Sequence, residues 1–553
     1  MWMKRDLGAL AEREFDLVVV GAGIYGAATA WDAALRGLSV ALVDKGDFGG
    51  GTSFNNLKTI HGGVRYLQHA DLKRMRESIR ERRHLMRIAP HLVHPLPFLV
   101  PTYRGGLVKS LPAMRAALFV NDVVSWDRNK DADPGKLLPG GRSVDREECV
   151  SLAPGVESEG LTGGVVWHDA QMHNSDRMTL CFIRSAAEQG AVVANHVECT
   201  KLVADGTRVR GIDAVDRLTG DTKFSVRAKL VVNTTGPWTD TLTGSSRQLF
   251  HFSKAMNLVT RRIPGDVAVG VVSRRAHTDE DAVIDTGGRF LCVIPWRNVT
   301  LVGTAHGPFT GTAESLEVSE SDVVSLIDDI NAAYPGAALA RSDVRLIHHG
   351  LLPRRVAAAS PGGDNGVTLL KSYLLDDHRE DGLEGLLSVV GVKYTTARDV
   401  AVKAVDRALE MLGASPRESR SHSQPLVGGD IEDFDSFVEG AISGRPGLGG
   451  DVMRHLALTY GTLYESVLES GSSERLSPES PVLEAEIHHA VRHEMAFDLP
   501  SVVLRRTELG SAGRPSPQSV EVCASILQSE LGWSDRAKQE QVDSLEEFYR
   551  RRT

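Results

Sequence analysis

The stretch His61-Gly62-Gly63-Val64-Arg65-Tyr66 sets an imidazole, a guanidinium and a phenol beside two glycines. A histidine titrates near neutral pH, so His61 is suited to take a proton from a reacting hydroxyl. Arg65 and, far along the chain, Lys393 supply fixed positive charge for an anionic group. Tyr66 can donate to a substrate oxygen, and the glycine pair lets backbone come close to a bound ligand. The competing reading is structural: His61 only holds its loop, and the two cations close in salt bridges.

A second cluster lies upstream. Phe15–Val20 is an apolar run of the length of a buried parallel strand, and it leads straight into Gly21-Ala22-Gly23-Ile24-Tyr25-Gly26. Ala27–Arg36 reads as a helix stopped by Gly37, and Ser39–Val43 as a second strand that ends on Asp44. Gly21 suits the tight turn, Gly23 the close approach of a pyrophosphate, and Gly26 the helix–sheet contact. The free N–H groups of the helix start favour phosphate, and Asp44 stands where an acid can bind an adenosine ribose. A complete βαβ unit for a dinucleotide follows, but this unit alone does not separate FAD from NAD.

The elements that must position these groups spread over 553 residues, enough for about two to four domains. Asp71–Arg87 has helical spacing and seven basic residues, balanced within the helix by pairs such as Glu77 with Arg80 and Glu77 with Arg74. Leu107–Trp126 is a candidate amphipathic helix. Strands are expected at Gly163–Trp167, Ala191–Val197, Leu230–Asn233, Phe290–Pro295 and Thr300–Gly303. Ser415–Asp430 reads as a linker, and helices including Val482–Phe497 and Ser519–Leu531 follow it. A net charge of −9 gives no general attraction to nucleic acid, and no binding module for one is visible. Five scattered cysteines show neither disulfide nor metal spacing, which suits a cytoplasmic protein with no metal site. No apolar run is long enough to span a bilayer, and the charged N-terminus does not read as a secretory signal. Peripheral contact with the inner face of a membrane stays compatible with an amphipathic surface, and so does an oligomer.

The run Thr52–Leu67 (TSFNNLKTIHGGVRYL) resembles the FAD-dependent glycerol-3-phosphate dehydrogenase family, within the wider amino-acid-oxidase-like flavoproteins. Colinear matches follow at MRIAPHL (86–92), VNTTGPW (232–238), VIPW (293–296), Gly303-Thr304, LSVVGVKYTT (387–396), Thr459-Tyr460-Gly461 and Leu504-Arg505-Arg506-Thr507, so the likeness covers nearly the whole chain. It implies an α/β fold: a Rossmann-type FAD-binding domain, an interleaved mixed-sheet substrate domain and a C-terminal helical domain. The oxidoreductase region would be residues 1–415, with substrate-domain segments at about 95–165 and 250–370, and the helical domain 430–553. FAD is the implied cofactor, bound through Gly21, Ala22, Gly23, Gly26, Asp44, Lys45, Thr52, Ser53, Lys58, His61, Gly62, Val197, Thr235, Gly236, Trp238, Gly391, Lys393, Tyr394 and Thr395. The implied reaction oxidises sn-glycerol 3-phosphate, with quinone or oxygen as the second acceptor. His61, Arg65, Tyr66 and Lys393 would be its catalytic residues.

The departures fall on the substrate side. Asn257 stands where the family has a histidine, His306 where it has an aspartate, and Lys371 where it has an arginine. Its Gly-Val-Arg-Pro segment reads Gly350-Leu351-Leu352-Pro353, which removes a phosphate-binding arginine at Leu352. The expected substrate contacts are therefore Arg65, Lys371, His306 and Asn257, with a register change toward Arg354 or Arg355 as compensation. Two other readings compete: the same chemistry on another polyol phosphate or a hydroxy acid, and an amine or amino-acid oxidase.

Overall fold

A computed structural model describes residues 3–104, 110–244, 249–275, 289–354 and 369–553. Two large sheets organise the first part of the chain. The first has eight strands, in the order Leu374–Asp377, Leu386–Val390, Thr222–Asn233, Glu14–Val20, Val40–Val43 and Val192–Ala194, with the hairpin Val197–Asp205/Arg208–Asp216 beside Thr222–Asn233. Its central strands run parallel, with Val20 opposite both Asn233 and Val43. Both faces are covered, which is why FDLVVV is apolar at nearly every position.

The helix Ile24–Leu35 follows the glycine turn and packs against helices Ser175–Glu188 and Ala397–Met411. Its alanines allow that close approach, and Trp31 meets Phe182 edge-on at 5.3 Å. The expected strand Ala191–Val197 is two strands, because His196 turns the chain at φ 53°.

The second sheet has nine strands from the two stretches of chain that separate the segments of the first: 59–60, 93–103, 142–144 and 161–172, then 251–261, 268–272, 290–296, 299–309 and 344–354. Thr59–Ile60 is its edge strand and carries the chain directly into His61. One passage of the chain from the first sheet to the second therefore ends at the His61 loop.

The basic helix, Leu72–Ile88, is not balanced within itself. Arg76 and Arg83 share Asp127, Arg80 binds Asp399 at 2.9 Å, Arg82 binds Asp169 at 2.8 Å, and Glu81 takes Arg398. Glu77 faces Lys403 at 3.6 Å instead of Arg74 or Arg80. The helix is pinned by tertiary ion pairs, so most of its charge is spent inside the fold. Of the expected segment Leu107–Trp126, the described part forms the helix Leu111–Val124; residues 107–109 lie outside the described residues. Arg355 also lies outside them.

From Phe434 onward the chain is helical, with Phe434–Gly444, Gly450–Tyr460, Glu484–Glu494, Pro517–Leu531 and Asp535–Arg550 as its main elements. The expected helix Val482–Phe497 ends at Glu494, where Met495 takes φ 53°. Polar contacts bind this unit to the rest: Glu494 pairs with Arg177 and Arg184 in buried ion pairs, both at 2.6 Å, and Glu508 pairs with Arg297 at 3.0 Å and hydrogen-bonds His173. No helix among the described residues is long and apolar enough to cross a membrane.

Candidate active site

A cavity of about 1550 Å³ lies between the two sheets, larger than the usual ~300–1,000 Å³ of a small-molecule site. That is room for a dinucleotide and a substrate together. The glycine turn forms one end. Gly21 has φ 98°, and a Cβ there would meet the Thr234 carbonyl at 2.8 Å. A Cβ on Gly26 would lie 1.9 Å from the Gly21 carbonyl, so neither of these two glycines tolerates a side chain. Ser53 Oγ accepts from the Ile24 N–H at the helix start (2.9 Å), which fixes the polar loop beside the turn. Asp44 accepts from the amides of Ala22 (2.6 Å) and Gly46 (2.9 Å). Burial raises its pKa to about 6 against those amide bonds.

The other end collects the expected catalytic groups. The His61 and Tyr66 rings meet edge-on at 5.9 Å, and Lys393 Nζ stands 4.2 Å over the Tyr66 ring. Burial, reinforced by Lys393, holds the His61 imidazole down to about 4, although Asp169 opposes this. The ring is therefore neutral at neutral pH and free to accept a proton. Burial and the guanidiniums of Arg74 and Arg65 bring Lys393 down to about 8. Burial pushes the Tyr66 phenol up to about 12, which keeps it a donor.

Asp169 and Tyr25 position this cluster, and neither was among the expected site residues. Asp169 Oδ1 accepts from the Gly62 amide (2.6 Å) and from Arg82 (2.8 Å), which fixes the loop after His61. The Tyr25 hydroxyl joins the glycine-turn helix to the backbone of Lys393. An acid inside the apolar strand Leu161–Met172 was the available signal for Asp169; Tyr25 offered none beyond its place in the glycine motif.

Of the expected cofactor residues, Gly21, Gly23, Asp44, Lys45, Thr52, Ser53, His61, Thr235, Gly236, Trp238, Gly391, Lys393, Tyr394 and Thr395 line the cavity. Ala22, Gly26, Lys58, Gly62 and Val197 are not among the lining residues. Lys58 is buried below the loop, where Nζ donates to the Phe54 carbonyl (2.7 Å) and Ser175 (2.8 Å), so it braces the loop. Gly62 is needed because a Cβ would sit 2.4 Å from Arg82 Nη1. Val197 donates its amide to the Asp44 carbonyl, and the next residues, Glu198 to Thr200, reach the cavity.

The expected substrate residues Arg65, Asn257, His306 and Lys371 all line it. Asn257 Oδ1 accepts from the Thr304 hydroxyl at 2.7 Å. Leu352 lines it too, and Arg354, two residues along the same strand, projects to the same side. Arg354 Nε donates to the Phe252 carbonyl at 2.9 Å, which holds the guanidinium at the cavity wall. Arg289 and Arg74 add further cationic groups to the lining.

A dinucleotide turn opening onto a cationic, proton-accepting chamber is the arrangement of a dinucleotide-dependent oxidoreductase. Residues 16–373 match the family described as FAD dependent oxidoreductase, and residues 419–538 match the C-terminal domain of alpha-glycerophosphate oxidase. The chain is 30% identical to the glycerol-3-phosphate dehydrogenase of Synechocystis, over 98% of both proteins. It is 31% identical to the probable mitochondrial glycerol-3-phosphate dehydrogenase of Caenorhabditis elegans, over 97% of this chain and 73% of that one. The solved structure of the glycerol-3-phosphate dehydrogenase from Bacillus halodurans, complexed with FAD, shares the fold at a TM-score of 0.76 and 24% identity, over 99% of this chain and 98% of that one. The chain belongs to the FAD-dependent glycerol-3-phosphate dehydrogenase family.

The turn with no room for a side chain at Gly21 or Gly26, the helix start above it and the half-buried acid after the second strand fit FAD. Gly21, Gly23 and Ser53 would hold its pyrophosphate and Asp44 its adenosine ribose. The ring would lie toward His61 and Lys393.

Proposed function

We propose that the protein oxidises sn-glycerol 3-phosphate to dihydroxyacetone phosphate. The observation that carries this reading is the neutral His61 imidazole set beside Tyr66 and Lys393 in a chamber also lined by Arg65, Lys371 and Arg354. Bound FAD supplies the hydride acceptor. His61 accepts the hydroxyl proton as the carbinol C–H is lost, and the Tyr66 phenol donates to a substrate oxygen. Arg65, Lys371 and Arg354 hold the phosphate, with Arg354 taking the part that Leu352 cannot play. Asn257 and His306 line the same chamber and set its shape. Flavin reduction by this substrate in the absence of oxygen tests the reading. Bleaching by another polyol phosphate or a hydroxy acid alone would narrow it to the same chemistry on a different anion.

Electrons would leave to quinone or oxygen, and the surface favours a membrane acceptor. On and just after the helix Leu111–Val124, Phe119 is 71% exposed and Trp126 77%, with Val120 and Val123 also exposed between them. Arg115 and Lys130 flank this apolar stripe, an arrangement suited to the interface of an anionic bilayer on the inner face of a membrane. Vesicle co-sedimentation that depends on Phe119 and Trp126 would support peripheral attachment; binding unaffected by their replacement with serine would contradict it.

A further inference from the structure

Between Asp44 and Ser53 the chain makes a loop that touches the glycine turn at both ends. Asp44 binds the Ala22 amide, the Gly49 amide donates to the Ala22 carbonyl at 3.0 Å, and Ser53 binds the Ile24 amide. Asp47 lies inside this loop with its side chain 1% exposed, and its carboxylate is fully occupied. Arg506 grips it with both terminal nitrogens, at 2.8 and 2.6 Å, Arg505 Nε donates at 2.6 Å, and Asn195 Nδ2 at 3.0 Å.

Both arginines come from the C-terminal unit, more than 450 residues away, on the π-helical turn Ser501–Arg506. That turn is itself fixed. The Arg506 Nε donates to the Glu494 carbonyl (3.1 Å), Arg505 Nη2 to Ser501 Oγ (3.1 Å), and Ser501 is held by Asp498. π-helical turns are uncommon and recur at functional sites. Arg505 also reaches the cavity wall next to Asp47 and the glycines of the loop. A carboxylate held by two guanidiniums out of water has one low-energy position, so the loop around it is fixed as well.

We infer that the C-terminal helical domain is a working part of the cofactor site: Arg505 and Arg506 position, through Asp47, the loop whose ends carry Asp44 and Ser53 to the dinucleotide. The inference rests on the assignment of FAD to this cleft. The C-terminal domain thereby takes a part in holding the cofactor.

The experiment measures the FAD dissociation constant of protein stripped of flavin, by fluorescence titration, together with the melting temperature of the stripped protein. Asp47→Asn and Arg505→Gln should each weaken FAD binding about tenfold or more, and Arg505→Lys, which restores the charge, should recover most of the loss. Glu486→Gln removes a different buried carboxylate of the same domain, bound to His455 and Tyr460, and serves as the control. It should lower the melting temperature while leaving FAD affinity within about twofold of the parent. Hydrogen exchange across residues 44–53 should quicken in Arg505→Gln and stay unchanged in Glu486→Gln. FAD affinity unaltered in both Asp47→Asn and Arg505→Gln, or lost equally in Glu486→Gln, would overturn the inference. A parent protein that binds no FAD would instead overturn the cofactor assignment, so the two failures are distinguishable.

Discussion

Tyr25 and Lys393 are locked together by two hydrogen bonds across 368 positions of sequence. The phenol donates to the Lys393 carbonyl at 2.6 Å and accepts from its amide at 3.1 Å. Gly391 passes so close that a Cβ would fall 1.7 Å from the Tyr25 ring. Tyr25→Phe removes both bonds with little change of shape and should cost about 1–3 kcal/mol in positioning of Lys393. Turnover should fall by roughly tenfold or more while flavin content stays near that of the parent. Gly391→Ala drives a methyl group into the ring and should lose flavin as well. Absorbance spectra and stopped-flow reduction on the same preparations check both outcomes.

Lys393 titrates near 8 because burial, Arg74 and Arg65 disfavour its charge. The cation is complete below that pH and lost above it. KM for an anionic substrate should therefore rise as pH passes about 8, and Lys393→Arg, whose charge persists, should shift this limb upward. A KM that stays level well above pH 8 would show that the Lys393 charge adds nothing to the hold of Arg65, Lys371 and Arg354 on the anion.

His61 stays neutral down to about pH 4, so its base form is present throughout the neutral range. His61→Asn should reduce flavin reduction by about 10²- to 10⁴-fold without comparable loss of bound flavin. An unchanged rate in that variant would return His61 to a loop-holding role.

Leu352 and Arg354 occupy alternate positions on one side of a strand, the second carrying the charge that the first lacks. Arg354→Gln should raise KM for glycerol 3-phosphate about ten- to a hundredfold, as expected for loss of a charged hydrogen bond of about 1.5–3 kcal/mol. Leu352→Arg should lower it. Steady-state kinetics of both variants decide whether this strand holds the phosphate.

His455 lies buried between Glu486 and Glu508, whose charges overcome the cost of burial and raise it to about 10. Its folded value exceeds its ordinary 6.5, so its contribution to stability is complete below 6.5 and is lost as pH rises through about 10. The loss should be on the order of 5 kcal/mol. Urea unfolding across that range should show the decline, and His455→Gln should flatten it.

The dinucleotide half was legible because its signals are local. Strand, turn, helix and acid between Phe15 and Asp44 follow one another in the chain, and each rests on hydrophobic period or glycine sterics. That His61, Arg65 and Tyr66 share one site was legible for the same reason, and all three line the cavity. Groups that act through distant partners were not. Asp169 meets Gly62 across 107 positions, and Asp47 meets Arg506 across 459, with no local pattern to announce either. The charges of Leu72–Ile88 invited pairing within the helix, yet packing against Asp127, Asp169 and Asp399 decided their partners. Lys58 sits in a run that otherwise faces the cavity, and only tertiary structure turns it toward Ser175.

The most direct test mixes FAD-loaded protein with sn-glycerol 3-phosphate in the absence of oxygen while the visible flavin spectrum is followed. Rapid loss of the oxidised flavin bands is expected, with one dihydroxyacetone phosphate formed per flavin reduced. Flavin that stays oxidised with this substrate, yet is bleached by an amine or amino acid, would contradict the proposed reaction.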